Sequence, residues 1–333
     1  MDSPLVSLVV PAYGEGSHLA SSLEAMRQEA RKAGGDYEII VVDDGSTDNT
    51  WEVLAAEARA DAAIHAIRLS RNFGKESAIA AGLHFARGET IIVLDADLQH
   101  PPALIPKMLE IWRKTGADIV RARKLPDENE PWRQRVRRRL FNRIFTRLSG
   151  VDLADASDFM LITRRVRQTW LAMEERNLFF RGMIAWLGFR VETIPFTVAH
   201  RQDGKSKWST AALFRLAATA LTSFSTLPLR LAMGVGVVFM LVSLLGMIYS
   251  LVYKLLGLAA PGFTTVILLQ FFIGSLILLS LGVIGEYLGR IYEEVKRRPR
   301  FIIADRLGVD AAPPPAAATP DRTYANSKEA AQE

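Results

Sequence analysis

No cysteine occurs among the 333 residues, which excludes disulfides, thiolate metal sites and cysteine nucleophiles. The N-terminus lacks a basic segment followed by a long apolar run, so Met-Asp-Ser-Pro-Leu-Val reads as the approach to a first strand and not as a signal peptide. No internal repeat is visible. Two stretches, 231–253 and 263–285, lack charge altogether, and Gln270 is the most polar residue of the second. Each is long enough to cross the roughly 30 Å hydrocarbon layer of a bilayer as a helix. Pro261-Gly262 lies between them, as the turn of a helical hairpin requires. Arg215 and Arg230 precede the first stretch, and Arg290, Lys296, Arg297, Arg298 and Arg300 follow the second, whereas only Lys254 lies in the connection. The positive-inside rule then predicts a multi-pass inner- or plasma-membrane protein with both termini and the N-terminal domain in the cytoplasm.

The net charge is +5, unevenly placed: residues 121–147 hold ten Lys/Arg against three Asp/Glu. Trp132, Val136, Leu140, Ile144 and Leu148 recur every four residues there, which predicts a helix with one apolar face and arginines around the rest. Such a run points to a local anionic partner, although for any single arginine a solvated face or contact with lipid headgroups is the alternative. It lacks a recognisable RNA- or DNA-binding motif, so nucleic acid is not expected as a partner. Leu213, Leu216, Ala217, Ala220, Leu221 and Phe224 give 209–227 an apolar stripe suited to a membrane surface. Beyond Asp310 the Ala/Pro-rich, polar tail is expected to be disordered.

Residues 5–120 alternate short runs rich in β-branched residues (5–10, 37–42, 66–69, 90–94 and 117–120) with amphipathic segments (17–33, 49–59, 75–86 and 103–112). That alternation predicts an α/β domain with a mostly parallel sheet, covered on both faces, and ligands at the carboxyl ends of the strands. Residues 191–198 read as a further strand.

Chemistry-bearing residues cluster at those strand ends. Asp95-Ala96-Asp97 follows the strand 90–94 directly. Two carboxylates so spaced can share a hard divalent cation, which keeps several waters and takes substrate phosphate oxygens as its other ligands. Gln99 offers a further oxygen, and a solvated turn is the bland alternative. Asp43-Asp44-Gly45-Ser46-Thr47 can accept hydrogen bonds from a base or ribose, and equally can serve as a turn with a helix cap. Tyr13, at the end of the first strand, can stack on a base or be an ordinary edge tyrosine. Arg71-Asn72-Phe73-Gly74-Lys75 opens a helix, where anions bind well, but lacks the Walker spacing.

Val9-Val10-Pro11-Ala12-Tyr13-Gly14-Glu15, Val42-Asp43-Asp44-Gly45-Ser46 and Asp95-Ala96-Asp97-Leu98-Gln99-His100-Pro101-Pro102 together resemble inverting glycosyltransferase family 2, over about residues 5–302. Within it the chain is similar to the dolichyl-phosphate mannosyltransferase and bactoprenol glucosyltransferase group, through Ser157-Asp158-Phe159, the segment 201–209 and the stretch from Gly285 to Tyr292. The Gln-x-x-Arg-Trp signature of processive synthases is missing, so one sugar per turnover is expected. The resemblance implies a GT-A catalytic domain, Rossmann-like, over 1–208. An amphipathic helix (209–230), a two-helix transmembrane hairpin (231–253 and 263–285), a cytoplasmic juxtamembrane segment (286–309) and the tail (310–333) complete the expected organisation.

The same resemblance implies that Pro11, Ala12, Tyr13, Glu15, Asp43, Asp44, Lys75, Asp95, Ala96 and Asp97 bind the nucleotide sugar. Asp95, Asp97 and Gln99 would surround Mg²⁺ or Mn²⁺, and Asp97 and Asp158 would be catalytic, with Asp155 the alternative to Asp158. Met160 departs from the pattern, since many relatives carry Arg or Lys after the Asp-Phe pair. The acceptor implied is a polyprenyl phosphate, already a competent nucleophile as an anion. Arg123, Arg137, Arg201 and Lys205 are the candidate clamps for its phosphate. UDP-glucose is the expected donor, GDP-mannose the next, and a homo-oligomer the expected state. A neutral lipid hydroxyl as acceptor, or an inactive membrane scaffold, are the rival expectations.

Overall fold

A computed structural model describes residues 4–124, 156–173, 175, 178–196 and 262–309, with isolated helical positions between 234 and 256. The basic helix expected around 132–148, the amphipathic stretch 209–227, most of the first expected span and the tail lie outside the described residues, as do Arg137, Asp155, Arg201 and Lys205. The chain divides into two compact units, one falling within 1–142, 151–205 and 299–333, the other within 143–150 and 206–298.

The first unit is built on an eight-stranded sheet in the order β7-β5-β6-β4-β1-β2-β3-β8. Its strands are β1 (Val6–Ala12), β2 (Tyr37–Asp43), β3 (Ile64–Leu69), β4 (Thr90–Val93), β5 (Ile119–Lys124), β6 (Ala156–Thr163), β7 (Val191–Phe196) and β8 (Ile303–Leu307). β4, β1, β2 and β3 run parallel, as their near-continuous Val/Ile content requires of strands buried on both faces. β6 enters antiparallel between β4 and β5, and β8 closes the β3 edge antiparallel.

Helices cover the sheet for reasons legible in their spacing. α1 (Leu19–Lys32) buries Leu19, Leu23, Met26 and Ala30 along one stripe, and α4 (Leu104–Thr115) buries Leu104, Ile105, Met108 and Leu109. α2 spans Thr50–Ala60. α3 (Lys75–Phe85) is apolar nearly all round, and its residues from Ala78 to Leu83 are buried. A side chain at Gly82 would stand 2.3 Å from Val9 Cγ1, so α3 lies on β1 at a distance only glycine permits. α5 (Arg164–Ala172) fastens α3 from behind: Arg167 donates from Nε and Nη2 to the carbonyls of Leu83 and His84, at 2.5 and 2.9 Å. α6 (Phe180–Trp186) follows.

At the end of the sheet away from the strand carboxyl termini, Glu38 is buried in a polar cluster. Its carboxylate accepts from Ser7 Oγ at 2.5 Å and from the Arg87 backbone N–H at 2.6 Å, and lies 3.4 Å from His65. Burial pushes this carboxyl up, but His65, Ser7 and the Arg87 amide and charge outweigh it and hold the group at about 2. Because that lies below the unfolded value of 4.5, the stabilisation is complete above about pH 4.5 and is lost as pH falls towards 2. Glu38→Gln should therefore destabilise the domain by about 3 kcal/mol at pH 7. Thermal unfolding of variant and wild type should show the gap narrowing below about pH 4.

In the second unit, α7 runs from Phe263 to Lys296, 34 residues or about 51 Å at 1.5 Å per residue. It is the one described helix long and apolar enough to cross a membrane. Its described apolar side chains, among them Val266, Leu269, Phe272, Leu278 and Leu281, are exposed rather than packed into a core. The helix outlasts the uncharged stretch 263–285 by three turns, and the chain then returns to the first unit's sheet as β8. The segment 286–309 thus holds the end of α7 and the strand β8.

Candidate active site

The carboxyl ends of β1, β2 and β4 open into a cleft of about 310 Å³. Pro11, Ala12, Tyr13 and Glu15 form its first wall. This turn is pinned to the loop after β2 and to the start of α2: the Gly14 N–H donates to Ser46 Oγ at 3.1 Å, and the Glu15 N–H to Thr50 Oγ1 at 3.0 Å. Tyr13 is left 51% exposed, its ring available for stacking.

Asp44 and Lys75 line the second wall, beside Asn72 and Gly74. The carboxylate of Asp44 accepts from the N–H groups of Phe73 and Gly74, both at 2.8 Å, and so ties the Arg71–Lys75 loop to the end of β2. Burial raises its pKa against the pull of those two amides. Gly45 lets the two loops meet: its φ is +67°, and a Cβ there would stand 2.4 Å from the Arg71 carbonyl carbon. Asp43 does not line the cleft. It is fully buried, accepting from the Ser46 N–H at 2.9 Å and facing Arg68 at 3.5 Å, and so holds the turn after β2.

Asp95, Ala96 and Asp97 form the third wall. The chain turns sharply there, with Leu98 at φ +55°. Asp97 Oδ1 accepts from the Gln99 N–H at 3.0 Å, so Gln99 meets Asp97 through its backbone, and its side chain is not among the residues lining the cleft. His100, with Nε2 2.7 Å from Ser157 Oγ and Nδ1 3.7 Å from Asp95 Oδ2, packs against Phe159 and Phe196.

Register explains the most consequential contact. β4 pairs antiparallel with β6 through Val93↔Met160, and continuing by two residues brings Asp95 opposite Asp158. Lys75 Nζ lies between them, 2.6 Å from Asp95 Oδ1 and 2.8 Å from Asp158 Oδ2. A lysine opening a helix opposes the helix dipole, and these two carboxylates offset that cost. Burial favours the neutral amine, but Asp95 and Asp158 more than reverse it, and the pKa of Lys75 is raised. Asp158 is buried, and its other oxygen faces Arg181 Nε at 2.7 Å. Burial alone would raise Asp158, yet the charges of Lys75 and Arg181 hold it below the ordinary carboxylate range. A carboxylate with both oxygens engaged by cations is a weak base.

Asp95 and Asp97 provide the hard oxygen donors that suit Mg²⁺ or Mn²⁺, and the Lys75 ammonium shows that a cation is held at Asp95. Among the described residues no group of three acidic or histidine side chains is gathered for a metal. Arg123, on β5, is the one expected acceptor clamp among the described residues, and it does not line the cleft. Arg181 and Glu76 went unread in the sequence, since nothing local in Phe-Phe-Arg-Gly or Lys-Glu-Ser-Ala marks them as parts of a site.

Residues 7–167 match the glycosyl transferase family 2 profile. An uncharacterized glycosyltransferase of Synechocystis is 36% identical over 313 residues, covering 92% of this chain and 97% of that one. The chain belongs to glycosyltransferase family 2. Another family relative, a prophage bactoprenol glucosyl transferase homolog of Escherichia coli, is 33% identical over 90% of this chain and 98% of its own. Among solved structures, glucosyl-3-phosphoglycerate synthase of Mycobacterium tuberculosis, in complex with Mn²⁺, UDP-glucose and phosphoglyceric acid, is similar at TM-score 0.44 and 20% identity, over 66% of this chain and 79% of that one. The GT-A-like α/β fold and the use of a nucleotide sugar follow from family membership together with the sheet and cleft described.

Proposed function

We propose that the protein transfers one sugar from a nucleotide-sugar donor, UDP-glucose before GDP-mannose, to a polyprenyl phosphate at the cytoplasmic membrane face, with inversion at the anomeric carbon. The observation that carries this reading is the span of the likeness to the bactoprenol glucosyl transferase homolog. At 90% of this chain it takes in residues well beyond the donor domain, not the nucleotide cleft alone.

The geometry supports the parts of the reaction. Tyr13 receives the base, and the Asp44-fastened loop and Glu15 frame the rest of the nucleoside. A divalent cation held by Asp95 and Asp97 would neutralise the charge developing on the leaving diphosphate. An acceptor phosphate is already anionic and needs positioning more than deprotonation. Asp158, flanked by two cations, is suited to that and poorly suited to activating a neutral hydroxyl, which weighs against a diacylglycerol-type acceptor. The intact Asp95/Asp97 pair weighs against an inactive scaffold.

The topology of the sheet bears on the membrane. β7 and β8 belong to one sheet, so the chain between Phe196 and Ile303 starts and ends on one side of any membrane it enters. It must cross an even number of times. With α7 as one span, the uncharged stretch 231–253 supplies the other, and the catalytic domain takes the basic, cytoplasmic side.

Full-length protein in detergent, supplied with Mg²⁺, labelled UDP-glucose and a polyprenyl phosphate, should yield a labelled lipid carrying a β-linked sugar. No labelled lipid with UDP-glucose, GDP-mannose or UDP-linked amino sugars would sink the reading.

A further inference from the structure

Lys75 is anchored at its backbone and extended at its tip. Asp44 accepts from the N–H groups of Phe73 and Gly74, and Gly74 turns at φ +97°, where a side chain would be strained, to open α3 at Lys75. The start of this side chain is thereby fixed to the end of β2. From there its four-carbon stem carries the ammonium to Asp95 Oδ1 at 2.6 Å and Asp158 Oδ2 at 2.8 Å. The lysine side chain lines the cleft and is 42% exposed, whereas that of Asp158 is 6% exposed.

The acidic pair at the end of β4 is therefore asymmetric. Asp95 gives one oxygen to Lys75, and its other oxygen lies 3.7 Å from Nδ1 of His100, whose ring packs against Phe159 and Phe196. Asp97 stands exposed at the cleft wall with one oxygen on the Gln99 N–H, and among the described residues no cation pairs with it. The chain thus supplies its own positive charge to one of the two carboxylates suited to a divalent cation, and leaves the second open.

We infer that Lys75 is an internal substitute for the divalent cation, one that suppresses metal binding to the nucleotide-free protein and releases Asp95 when the donor's diphosphate arrives. The inference rests on the donor reading proposed above and adds to it the order in which the site fills. Like charges a few ångströms apart in a partly shielded cleft repel strongly, so a bare dication is opposed by Lys75. A diphosphate reverses the sign, because its negative charges cancel that of the dication and its oxygens offer the ammonium new acceptors. With its backbone anchored and its stem flexible, Lys75 exchanges Asp95 for a phosphate oxygen by rotating its side chain, keeping Asp158 as the partner it turns about. Metal and nucleotide then bind as a pair, each raising the affinity of the other by the same factor.

The test titrates Mn²⁺ into full-length protein in detergent, with and without UDP-glucose, and follows the electron paramagnetic resonance signal of the free ion. Lys75→Met should tighten Mn²⁺ binding in the absence of nucleotide by about fivefold or more, the lower end of couplings between sites. The gain in Mn²⁺ affinity that UDP-glucose brings should shrink in the same variant. Lys75→Arg keeps the charge and should stay near wild type. Adding Asp97→Asn to Lys75→Met should abolish the gained binding, which locates it at the acidic pair. Should Lys75→Met not fold, Lys75→Gln keeps a donor for Asp158 without the charge and should show the same tightening. Nucleotide-free Mn²⁺ binding that is unchanged or weaker on loss of the charge overturns the inference, since a lysine that merely props Asp95 would take metal affinity with it. If wild type binds neither UDP-glucose nor GDP-mannose, the donor reading fails instead, and the nucleotide-free Mn²⁺ comparison still decides the role of Lys75.

Discussion

Asp97→Asn should lower sugar transfer by at least about a hundredfold, the scale on which removal of one charge-stabilising group acts in a preorganised site. Asp97 is exposed at the cleft wall, and one of its oxygens is committed to the Gln99 N–H. Asparagine keeps that turn contact through its amide oxygen but removes the anionic charge a divalent cation requires. The fold should be untouched, since an exposed substitution that preserves its hydrogen bond changes stability by no more than about 0.5 kcal/mol. Chelation of wild type should imitate the variant, and added Mg²⁺ or Mn²⁺ should restore wild type alone. Asp95→Asn should be milder, because Lys75 already shares the charge of Asp95. Wild-type turnover in Asp97→Asn would remove the carboxylate pair from the mechanism.

Asp158→Asn should reduce kcat by about a hundredfold while the donor's dissociation constant moves by less than about threefold. The carboxylate is buried and faces a cation on each side, whereas an amide can accept from one of them and must turn its own N–H groups on the other. Arg181 then loses the group that spaces it from Lys75. Lys75 keeps its contact with Asp95, so its face towards the donor cleft persists. That asymmetry is the readout: a merely structural role would lower stability and donor affinity together. If neither constant moves, Asp155 becomes the better candidate for the acceptor side.

The sheet's parallel half was legible because buried parallel strands announce themselves as β-branched runs, and Val9, Val10, Ile39–Val42 and Ile91–Val93 are all buried on both faces. β6 was not, although Ser157-Asp158-Phe159 stood out as a motif. Its four buried apolar residues follow a carboxylate without alternation, and its place between β4 and β5 comes from pairing, not from local pattern. β8, Ile-Ala-Asp-Arg-Leu, is half polar and only five residues long, so it is a strand because β3 offers it an edge. The charge at Glu286 ends the apolar stretch without ending the helix, so α7 runs on to Lys296 beyond what the uncharged stretch marks. Within the site, Asp95 and Asp97 were readable as neighbours at one strand end. The bridge from Lys75 to Asp158 spans 83 positions and depends on the antiparallel β4–β6 register, which no local signal encodes.

The edge strand has a consequence for how the protein is made. Every residue that lines the donor cleft lies before position 100, but the sheet carrying them is complete only when Leu307 has joined it. A nascent chain therefore has its catalytic residues early and must hold β3 with an unpaired edge while α7 and the segment before it are synthesised. Bare edges of this kind recruit other strands, and a chain halted within the helical region would carry the whole donor site on an open sheet prone to aggregation. Ser70 N–H bonds to the Ile302 carbonyl and Arg300 to the Met173 carbonyl as β8 arrives, so its docking also secures α5 and the strand leading into the Arg71–Lys75 loop. The contacts that β8 brings to the donor loop thus form only after α7 has been synthesised.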